Sequence, residues 1–483
     1  MLDVTRALIE ELDRRGVRFC HWKSNAALDE ALQGLGDLDL LVDPADWPDF
    51  QSVLAGLGFV QTRMPSWQSR RDAHHYYGLD EPSGRLVHLD VYDRLLTGGT
   101  LLKNHHLPLE EMVFGSLRRE GVVPVPSRGA ELLLLVIRKT LESASLPEHA
   151  LLLREYHHVL RELRWLDDDQ TRAESRALLE RWLPTVDPLL FERCLQVLGS
   201  RGALVERWAL GQRLNRELRT CEILPPHLAA LERSTRLVRW LLQRVGLCAR
   251  GSVFSSGGAL IAFVGPEASG KSTLVAATND WLRPAFRIHA LHTGKPPSTP
   301  LTVVPNFLAP LLRRVMPQYR TTTFGRTASP PGRQGLGFWL YTMRCLGLAF
   351  DRWLLLRRAG RLRDGGAVVV CDRYPTAWPG YVDGALLDAA SAHGRMSRRL
   401  ARAERRLYEG IPRPDLLIVC RLPLAEALRR NAARHKRGGP ESEALVRHRH
   451  AQFSCTLPPE LRTRDAEIGG RDYREGAHMS YYR

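Results

Sequence analysis

The stretch IAFVGPEASGKSTL, residues 261–274, decides the fold of the second half of the chain. It fills every fixed position of the phosphate-loop pattern G-x-x-x-x-G-K-[ST]. An apolar run at 259–264 predicts a buried strand before the loop, and residues 272–282 predict a helix after it. Such a loop turns successive backbone N–H groups toward a polyphosphate at a helix N-terminus, where the helix dipole favours negative charge.

The loop residues have separate expected roles. Lys271 is expected to reach the β- and γ-phosphates, and the Ser272 hydroxyl is expected to hold Mg²⁺. The residues expected to contact the nucleotide are Gly265, Glu267, Ala268, Ser269, Gly270, Lys271, Ser272 and Thr273. The alternative is a chance glycine-rich turn, which is disfavoured because strand, loop and helix are all in register.

The charge of the chain favours anionic partners without naming one. Among 483 residues, 69 Lys and Arg against 53 Asp and Glu give a net charge of +16. Nucleotides, nucleic acid or anionic surfaces would suit this charge, and a general bias toward Arg explains it equally well. A nucleic-acid partner is not favoured, because the Arg residues are scattered and form no continuous basic stripe.

Cysteine spacing and hydropathy indicate a cytoplasmic chain. The eight cysteines contain no C-x-x-C pair, and several lie in apolar runs where Cys acts as a small hydrophobe. The amphipathic N-terminus does not resemble a signal peptide. The most apolar stretch, 335–356, is interrupted by Arg344, Asp351 and Arg352, so we expect no membrane span.

Three regions follow from the order of apolar patterns. Residues 1–125 mix short helices and strands, and residues 126–250 predict a helical extension or connector. A Gly/Ser-rich stretch at 250–259 marks a boundary. Residues 256–483 alternate strands with helices, which predicts an α/β domain with a parallel sheet flanked by helices. Residues 295–334 interrupt this alternation as a long insertion rich in Pro, Thr and Gly.

Two further features of the C-terminal region fit phosphoryl transfer. The run AVVVCDRY (367–374) puts Asp372 and Arg373 at the end of a predicted strand, where the carboxylate can hold Mg²⁺ and the guanidinium a phosphate. The alternative is a structural salt-bridge or capping pair. A helix predicted over 424–437 places Arg430, Arg434 and Arg437 on one face. Such a face suits a lid that closes on phosphate, or else a solvated surface.

Together these residues resemble the thymidylate kinase-like nucleoside monophosphate kinases over residues 256–480. The match comprises the GPEASGKST loop, the D-R-Y triplet 372–374, Asp383-Gly384, the PDLLIV strand 414–419, and the Arg-rich lid followed by Glu441. The resemblance implies ATP as donor, Mg²⁺ as cofactor and a phosphorylated acceptor. It implies that Lys271, Arg430 and Arg434 stabilise the transferring group. It also implies that Asp372 serves the metal or the acceptor, and Arg373 the acceptor phosphate.

The chain departs from this family near the acceptor. The family's T-R-E-P-like segment is replaced by HTGKPPST (292–299), with Lys295 in place of the Arg–Glu chemistry. The PDLLIV strand ends in Cys420-Arg421 instead of Leu-Asp, and the final segment shows no clear last strand. The sequence therefore predicts phosphoryl transfer to a nucleotide or another phosphorylated small molecule, without naming thymidylate.

Acidic residues on two predicted strands mark the N-terminal region. Asp37 and Asp39 in GLGDLDLLVD are expected on one side of a strand. Asp90 in VHLDVY is expected on a different strand. Three such carboxylates form a hard-oxygen site for Mg²⁺. The alternative is acidic residues that cap strands near solvent.

Residues 15–141 resemble the nucleotidyltransferase superfamily, which implies an α+β fold and the three carboxylates as metal ligands. The family's Gly-Ser pair is replaced by Lys23, Ser24 and Asn25, which could contact triphosphate.

The leading hypothesis is a thymidylate kinase-like domain fused to a nucleotidyltransferase-like domain. The alternatives are a regulatory NTPase with a non-catalytic N-terminal domain, and a nucleic-acid-modifying protein. The sequence leaves the oligomeric state, including a homodimer, open.

Overall fold

The chain forms two compact units, Met1–Arg250 and Gly251–Arg483. The computed structural model describes all residues except 65–72, 146–147, 149–155, 201–202, 248–249, 267, 295, 300–301, 304–335, 378–382, 388–393, 434–440, 455–464, 467–477 and 483. The predicted insertion 295–334 lies almost entirely outside the described residues.

The first unit combines a mixed sheet with helices on both of its faces. Its strands are β1 Phe19–His21, β2 Leu38–Val42, β3 Val60–Arg63, β4 Ala73–Asp80, β5 Arg85–Tyr92, β6 Leu96–Thr97, β7 His105–His106, β8 Arg118–Glu120 and β9 Val123–Val125. Its helices are α1 Asp3–Arg14, α2 Leu28–Leu32, α3 Trp47–Gly56, α4 Glu110–Gly115, α5 Arg128–Glu142, α6 Tyr156–Leu166, α7 Asp169–Trp182, α8 Pro188–Leu198, α9 Leu204–Glu217 and α10 Pro226–Arg244.

The register of the first sheet brings its acidic and basic residues together. The strands run in the order β1-β2-β5-β4-β3, with β2 and β5 parallel and the other neighbours antiparallel. Asp39 lies opposite Asp90 across the parallel pair, and His75 lies opposite Asp90 across the antiparallel pair. The strand predicted at 37–42 begins at Leu38, so Asp37 lies just before it and not on it.

Helix α5 joins the helical region to the sheet. It begins after Ser127, whose hydroxyl accepts a hydrogen bond from the Ala130 N–H, as an N-cap residue does. The helix is buried on nearly every side and contacts α6, α7, α8 and α9. Its leucines share one hydrophobic core with Trp22 and Tyr92 of the sheet region. The helices described between residues 126 and 250 thus pack within the first unit.

The second unit is an α/β layer structure, which confirms the predicted fold class. Its strands are β10 Val253–Phe254, β11 Ala259–Val264, β12 Ile288–His292, β13 Val368–Asp372, β14 Leu416–Arg421, β15 Asp465–Ala466 and β16 His478–Tyr482. Its helices are α11 Lys271–Leu282, α12 Leu336–Asp364, α13 Arg395–Glu409, α14 Leu424–Ala432 and α15 Glu443–Ser454.

The strand order of the second sheet reverses direction at β11. Strands run β12-β13-β11-β14-β16-β15, and the first four are parallel. Because β11 lies between β13 and β14, the chain leaves it toward one side of the sheet and later returns on the other. Ligands of open α/β sheets bind at the carboxyl ends of the strands where the order reverses in this way. The loop after β11 lies at this position.

Two expectations about the second unit are corrected. The final segment does contain a strand, because β16 pairs antiparallel with β14 from Leu417 to Arg421. Helix α14 ends at Ala432, earlier than the predicted helix over 424–437, and residues 434–437 lie outside the described residues. No helix in the described ranges is long and apolar enough to cross a membrane.

Candidate functional site at the loop after β11

Two glycines fix the path of the loop between Val264 and Lys271. A Cβ on Gly265 would lie 2.5 Å from the Cys420 carbonyl oxygen on the neighbouring strand, so only glycine fits there. Gly270 has φ +87°, a left-handed conformation that glycine adopts without strain, and it precedes the first turn of α11. The loop therefore leads the chain directly from the end of a parallel strand into a helix N-terminus.

Lys271 is buried and its ammonium contacts the loop itself. Its Nζ donates to the carbonyl oxygens of Gly265 at 2.8 Å and Pro266 at 2.5 Å, and to Ser269 Oγ at 3.2 Å. A fixed positive charge thus adds to the N-terminal dipole of α11, and both favour an anion at the loop.

Asp372 lies beside the first turn of α11. It ends β13, whose register aligns it with Phe263 of β11 and His292 of β12. Because parallel strands end at the same edge, its carboxylate reaches the helix that follows the loop. Ser272 Oγ donates to Asp372 Oδ2 at 3.1 Å, and His292 Nδ1 lies 3.1 Å from the same oxygen.

The second carboxylate oxygen of Asp372 indicates that this site suits a metal ion. Asp372 Oδ1 is buried and has no hydrogen-bond partner among the described residues. Leaving such an atom unsatisfied costs free energy. A Mg²⁺ ion or one of its water ligands would satisfy it, and the oxygen-donor pair of Ser272 and Asp372 suits that ion. The residues present therefore fit the predicted cofactor.

Arg373 follows β13 directly, and its side chain belongs to an ion network. Its backbone has φ +76°, its N–H donates to the Phe263 carbonyl, and its side chain lies against the backbone of Gly294. Its guanidinium donates to Asp383 Oδ2 at 3.1 Å. Burial alone would raise the pKa of Asp383, but Arg373 and Arg352 lower it below its ordinary value.

Sequence reasoning missed the role of Arg352. This buried residue of α12 donates to Asp383 Oδ1 at 3.3 Å and to the Thr293 carbonyl at 3.1 Å. It also donates to the Tyr408 hydroxyl of α13 at 3.0 Å. The sequence signal for Arg352 is the charged Asp351-Arg352 pair inside the most apolar stretch, which by itself indicates only that this stretch does not span a membrane. Arg352 links the HTGKPPST segment to the rest of the site.

The described part of the expected lid is small. Arg430 pairs with Glu426 one turn earlier in α14 at 2.6 Å, as side chains at i and i+4 on a helix surface do. Asn431 exchanges two hydrogen bonds with the backbone of Glu441. Arg434 and Arg437 lie outside the described residues, as does Glu267 of the loop.

The remaining loop residues differ in exposure. Ala268 has φ +64° and is buried together with Ser269. Thr273, in the first turn of α11, is exposed, as is Ser272.

Each of the three acidic residues expected in the first unit faces a basic side chain. The pairs are Lys23 with Asp39 at 2.7 Å, His75 with Asp90 at 2.5 Å, and His88 with Asp37 at 2.7 Å. Imidazole nitrogens among the carboxylates do not match the oxygen-only donor set that Mg²⁺ prefers. The residues therefore do not fit the Mg²⁺ site expected from three carboxylates.

The expected triphosphate contact of Asn25 is also corrected. Its buried side chain lies 2.5 Å from His21 Nδ1 and donates to Glu131 Oε1 at 2.7 Å, so an internal network engages it. The backbone N–H of Ser24 donates to Glu162 Oε1 at 3.1 Å. Acidic side chains thus occupy the positions at which an anionic ligand was expected.

Comparisons with known proteins give limited similarity. No family model matches the chain. An uncharacterized ATP-binding protein of Escherichia coli K12, YghR, is 29% identical over 178 residues, which span 35% of this chain and 68% of the relative.

Three solved structures are similar to parts of the chain. Thymidylate kinase from Candida albicans is 20% identical, covering 42% of this chain and 80% of that one, with a TM-score of 0.25. JHP933 from Helicobacter pylori is 12% identical, covering 45% and 93%, with a TM-score of 0.18. A candidate nucleotidyltransferase from H. pylori is 12% identical, covering 46% and 96%, also with a TM-score of 0.18. These values assign neither a family nor an activity to this chain. A function must therefore be argued from the site residues.

Proposed function

We propose that the second unit is an ATP- and Mg²⁺-dependent phosphotransferase of the nucleoside monophosphate kinase type. It would transfer the γ-phosphoryl group of ATP to a phosphorylated small-molecule acceptor, such as a nucleoside monophosphate. The observation that carries this proposal is the contact between Ser272 Oγ and Asp372 Oδ2, directly beside the loop. A hydroxyl on the first helical turn and a carboxylate at the end of an adjacent strand form the metal-binding pair of phosphate-loop enzymes.

The donor half of the site follows from the loop. Backbone N–H groups at the start of α11 and the Lys271 ammonium would bind the β- and γ-phosphates. A Mg²⁺ ion held by Ser272 and Asp372 would neutralise charge on the transferring phosphoryl group. The name of the E. coli relative describes an ATP-binding protein, which agrees with ATP as the donor here.

The acceptor half follows from the charge network around Asp383. Arg373 and Arg352 together carry two positive charges against the one negative charge of this carboxylate. The excess positive charge favours an anionic group, and the Arg373 guanidinium offers the planar donor pattern that phosphate accepts. Arg430 and Arg434 would add positive charge when the phosphoryl group transfers.

An acceptor screen tests the proposal. The purified chain would be supplied with ATP and Mg²⁺, and ADP formation measured with dTMP, other nucleoside monophosphates and sugar phosphates. We expect ADP formation to depend on one class of acceptor. Equal ADP formation with and without every acceptor would instead support the regulatory NTPase, in which the loop drives a conformational change.

A second candidate activity, nucleotidyl transfer, belongs to the first unit. It is favoured by the register that puts Asp39 opposite Asp90 on parallel strands. It would use a divalent metal other than Mg²⁺, because the imidazoles beside these carboxylates do not match the oxygen-only donor set of Mg²⁺. Pyrophosphate release from an NTP, lost in Asp39→Asn, would support it. If the wild-type chain released no pyrophosphate from any common NTP, the result would favour a first unit that only binds its ligand.

A further inference from the structure

We propose that the first unit contains a binding site for a transition-metal dication, with His75, His88 and Asp90 as its ligands. The proposal concerns the unit Met1–Arg250 and is independent of phosphoryl transfer by the second unit. It also replaces the three-carboxylate Mg²⁺ site expected from the sequence with a site of different donor chemistry.

The sheet register builds the site. His75 on β4 lies directly opposite Asp90 on β5, and His88 lies two positions before Asp90 on the same strand. Side chains at i and i+2 on a strand, and those opposite each other on neighbouring strands, share one face of the sheet. All three side chains therefore project from the same face over a short span.

The donor atoms are close together and buried. One ligand atom from each of the three residues lies within 4.8 Å of the others. His75 Nδ1 is 2.5 Å from Asp90 Oδ1, and His88 Nε2 is 3.4 Å from the same oxygen. The side chains of His75, His88 and Asp90 are only 6%, 11% and 9% exposed. Two imidazoles and a carboxylate thus converge in a largely dry environment.

Asp37 orients one of the imidazoles toward the site. Its carboxylate contacts His88 Nδ1 at 2.7 Å. This contact leaves Nε2 directed at Asp90, and Nε2 is buried with no hydrogen-bond partner within the described part of the chain. A carboxylate that accepts from one ring nitrogen while the other ring nitrogen faces a metal is the usual second contact of a ligating histidine.

The donor set selects the class of metal. Imidazole nitrogen suits Zn²⁺ and its first-row neighbours, whereas Mg²⁺ prefers oxygen ligands and retains its water. Three protein ligands leave a coordination position for water or substrate, as in catalytic zinc sites. Asp39, paired with Lys23 and opposite Asp90, borders the site without supplying a ligand in this arrangement. The competing interpretation is a hydrogen-bonded His–Asp cluster without a metal.

Metal analysis of the full chain distinguishes these interpretations. The protein would be stripped with a chelator, loaded separately with Zn²⁺ and Co²⁺, and desalted. Bound metal would be measured by elemental analysis, and the visible spectrum of Co²⁺ would report low-coordinate nitrogen and oxygen ligation. We expect His75→Gln and His88→Gln each to bind one equivalent less than the wild type and to lose the Co²⁺ band. Excess Mg²⁺ should not displace the Zn²⁺.

His74 offers a matched control. It is adjacent to His75 on β4, and its ring packs on Trp47 at 4.7 Å between centroids, on the opposite face of the sheet. His74→Gln should keep the wild-type stoichiometry, so that metal bound elsewhere through histidine or cysteine cancels in the comparison. Equal metal content and equal spectra in the wild type and both ligand variants would overturn the proposal.

Asp37→Asn keeps the test decisive if the buried variants fail to fold. Asp37 is 57% exposed, so its substitution should leave the fold intact. Loss of an orienting carboxylate costs about 10–100-fold in metal affinity. We expect Zn²⁺ affinity to fall by that factor, measured by competition with a chromophoric chelator. An unchanged affinity would contradict the assigned ligand His88.

Discussion

Arg373 donates to Asp383 at 3.1 Å, and both residues hold left-handed backbone conformations, with φ +76° and +63°. Each such conformation costs about 1–3 kcal/mol in a residue other than glycine, and it persists only where the surroundings fix it. The Arg373–Asp383 ion pair and a second guanidinium, that of Arg352, provide those surroundings. Strain and charge therefore coincide at the proposed acceptor side of the site.

Arg373→Ala should impair acceptor use more than donor binding. The guanidinium is assigned to the acceptor phosphate, so we expect the KM for the acceptor to rise by about 10-fold or more, as for a lost charge-assisted contact. The KM for ATP should change much less. Steady-state kinetics with each substrate varied separately checks this split, and equal increases in both constants would argue against the assignment.

Lys271→Ala should remove phosphoryl transfer without unfolding the chain. Loss of a charged group that stabilises the transferring phosphoryl costs about 10²-fold or more in rate. ADP formation with a productive acceptor gives the rate, and thermal unfolding reports the fold. Wild-type turnover in this variant would exclude the kinase proposal.

Gly265→Ala should distort the loop. The added Cβ would lie 2.5 Å from the Cys420 carbonyl oxygen, so the loop backbone must shift. Misplacement by about 1 Å can cost about 10²-fold in activity. We expect weaker binding of a fluorescent ATP analogue. Gly115→Ala is the matched control, because a Cβ there meets no atom within 4 Å; similar binding by both variants would show that the close contact is unimportant.

Glu131→Gln should alter how stability depends on pH. Burial raises the pKa of Glu131 from 4.5 to about 8, although Arg118 and Asn25 act in the opposite direction. A raised carboxyl pKa means that the folded chain holds a proton which the unfolded chain releases, so the free energy of unfolding falls between about pH 4.5 and pH 8.

The Gln variant should lack that fall and be more stable than the wild type at pH 8, by several kcal/mol at about 1.4 kcal/mol per pKa unit. Denaturant unfolding at pH 5 and pH 8 measures the difference. Glu120→Gln removes a half-exposed partner of the same Arg118 and should leave the profile unchanged. Parallel profiles for wild type and Glu131→Gln would refute the prediction.

Local patterns predicted the parts of the site that are contiguous in sequence. The loop from Gly265 to Ser272 and the strand that ends at Asp372 can each be recognised from the residues adjacent to them in the sequence. Arg352 was missed because its partners, Thr293, Asp383 and Tyr408, come from three other segments.

In the N-terminal unit, the pairing of strands determines which histidines and carboxylates meet, and the local sequence pattern could not predict this. Adjacent residues on a strand, such as His74 and His75, point to opposite faces of the sheet, but only the pairing of β4 with β5 places His75 opposite Asp90. The last strand was missed for the same reason, since β16 gains its hydrogen bonds from β14.

The shared core of α5 and the sheet limits how this chain can be divided. A fragment that stopped at residue 125 would lose the leucine-rich helix that covers Trp22 and Tyr92. Their large apolar surfaces would then face water, and exposed surfaces of this kind promote aggregation. A fragment that ends at Arg250, where the first compact unit ends, keeps this core intact.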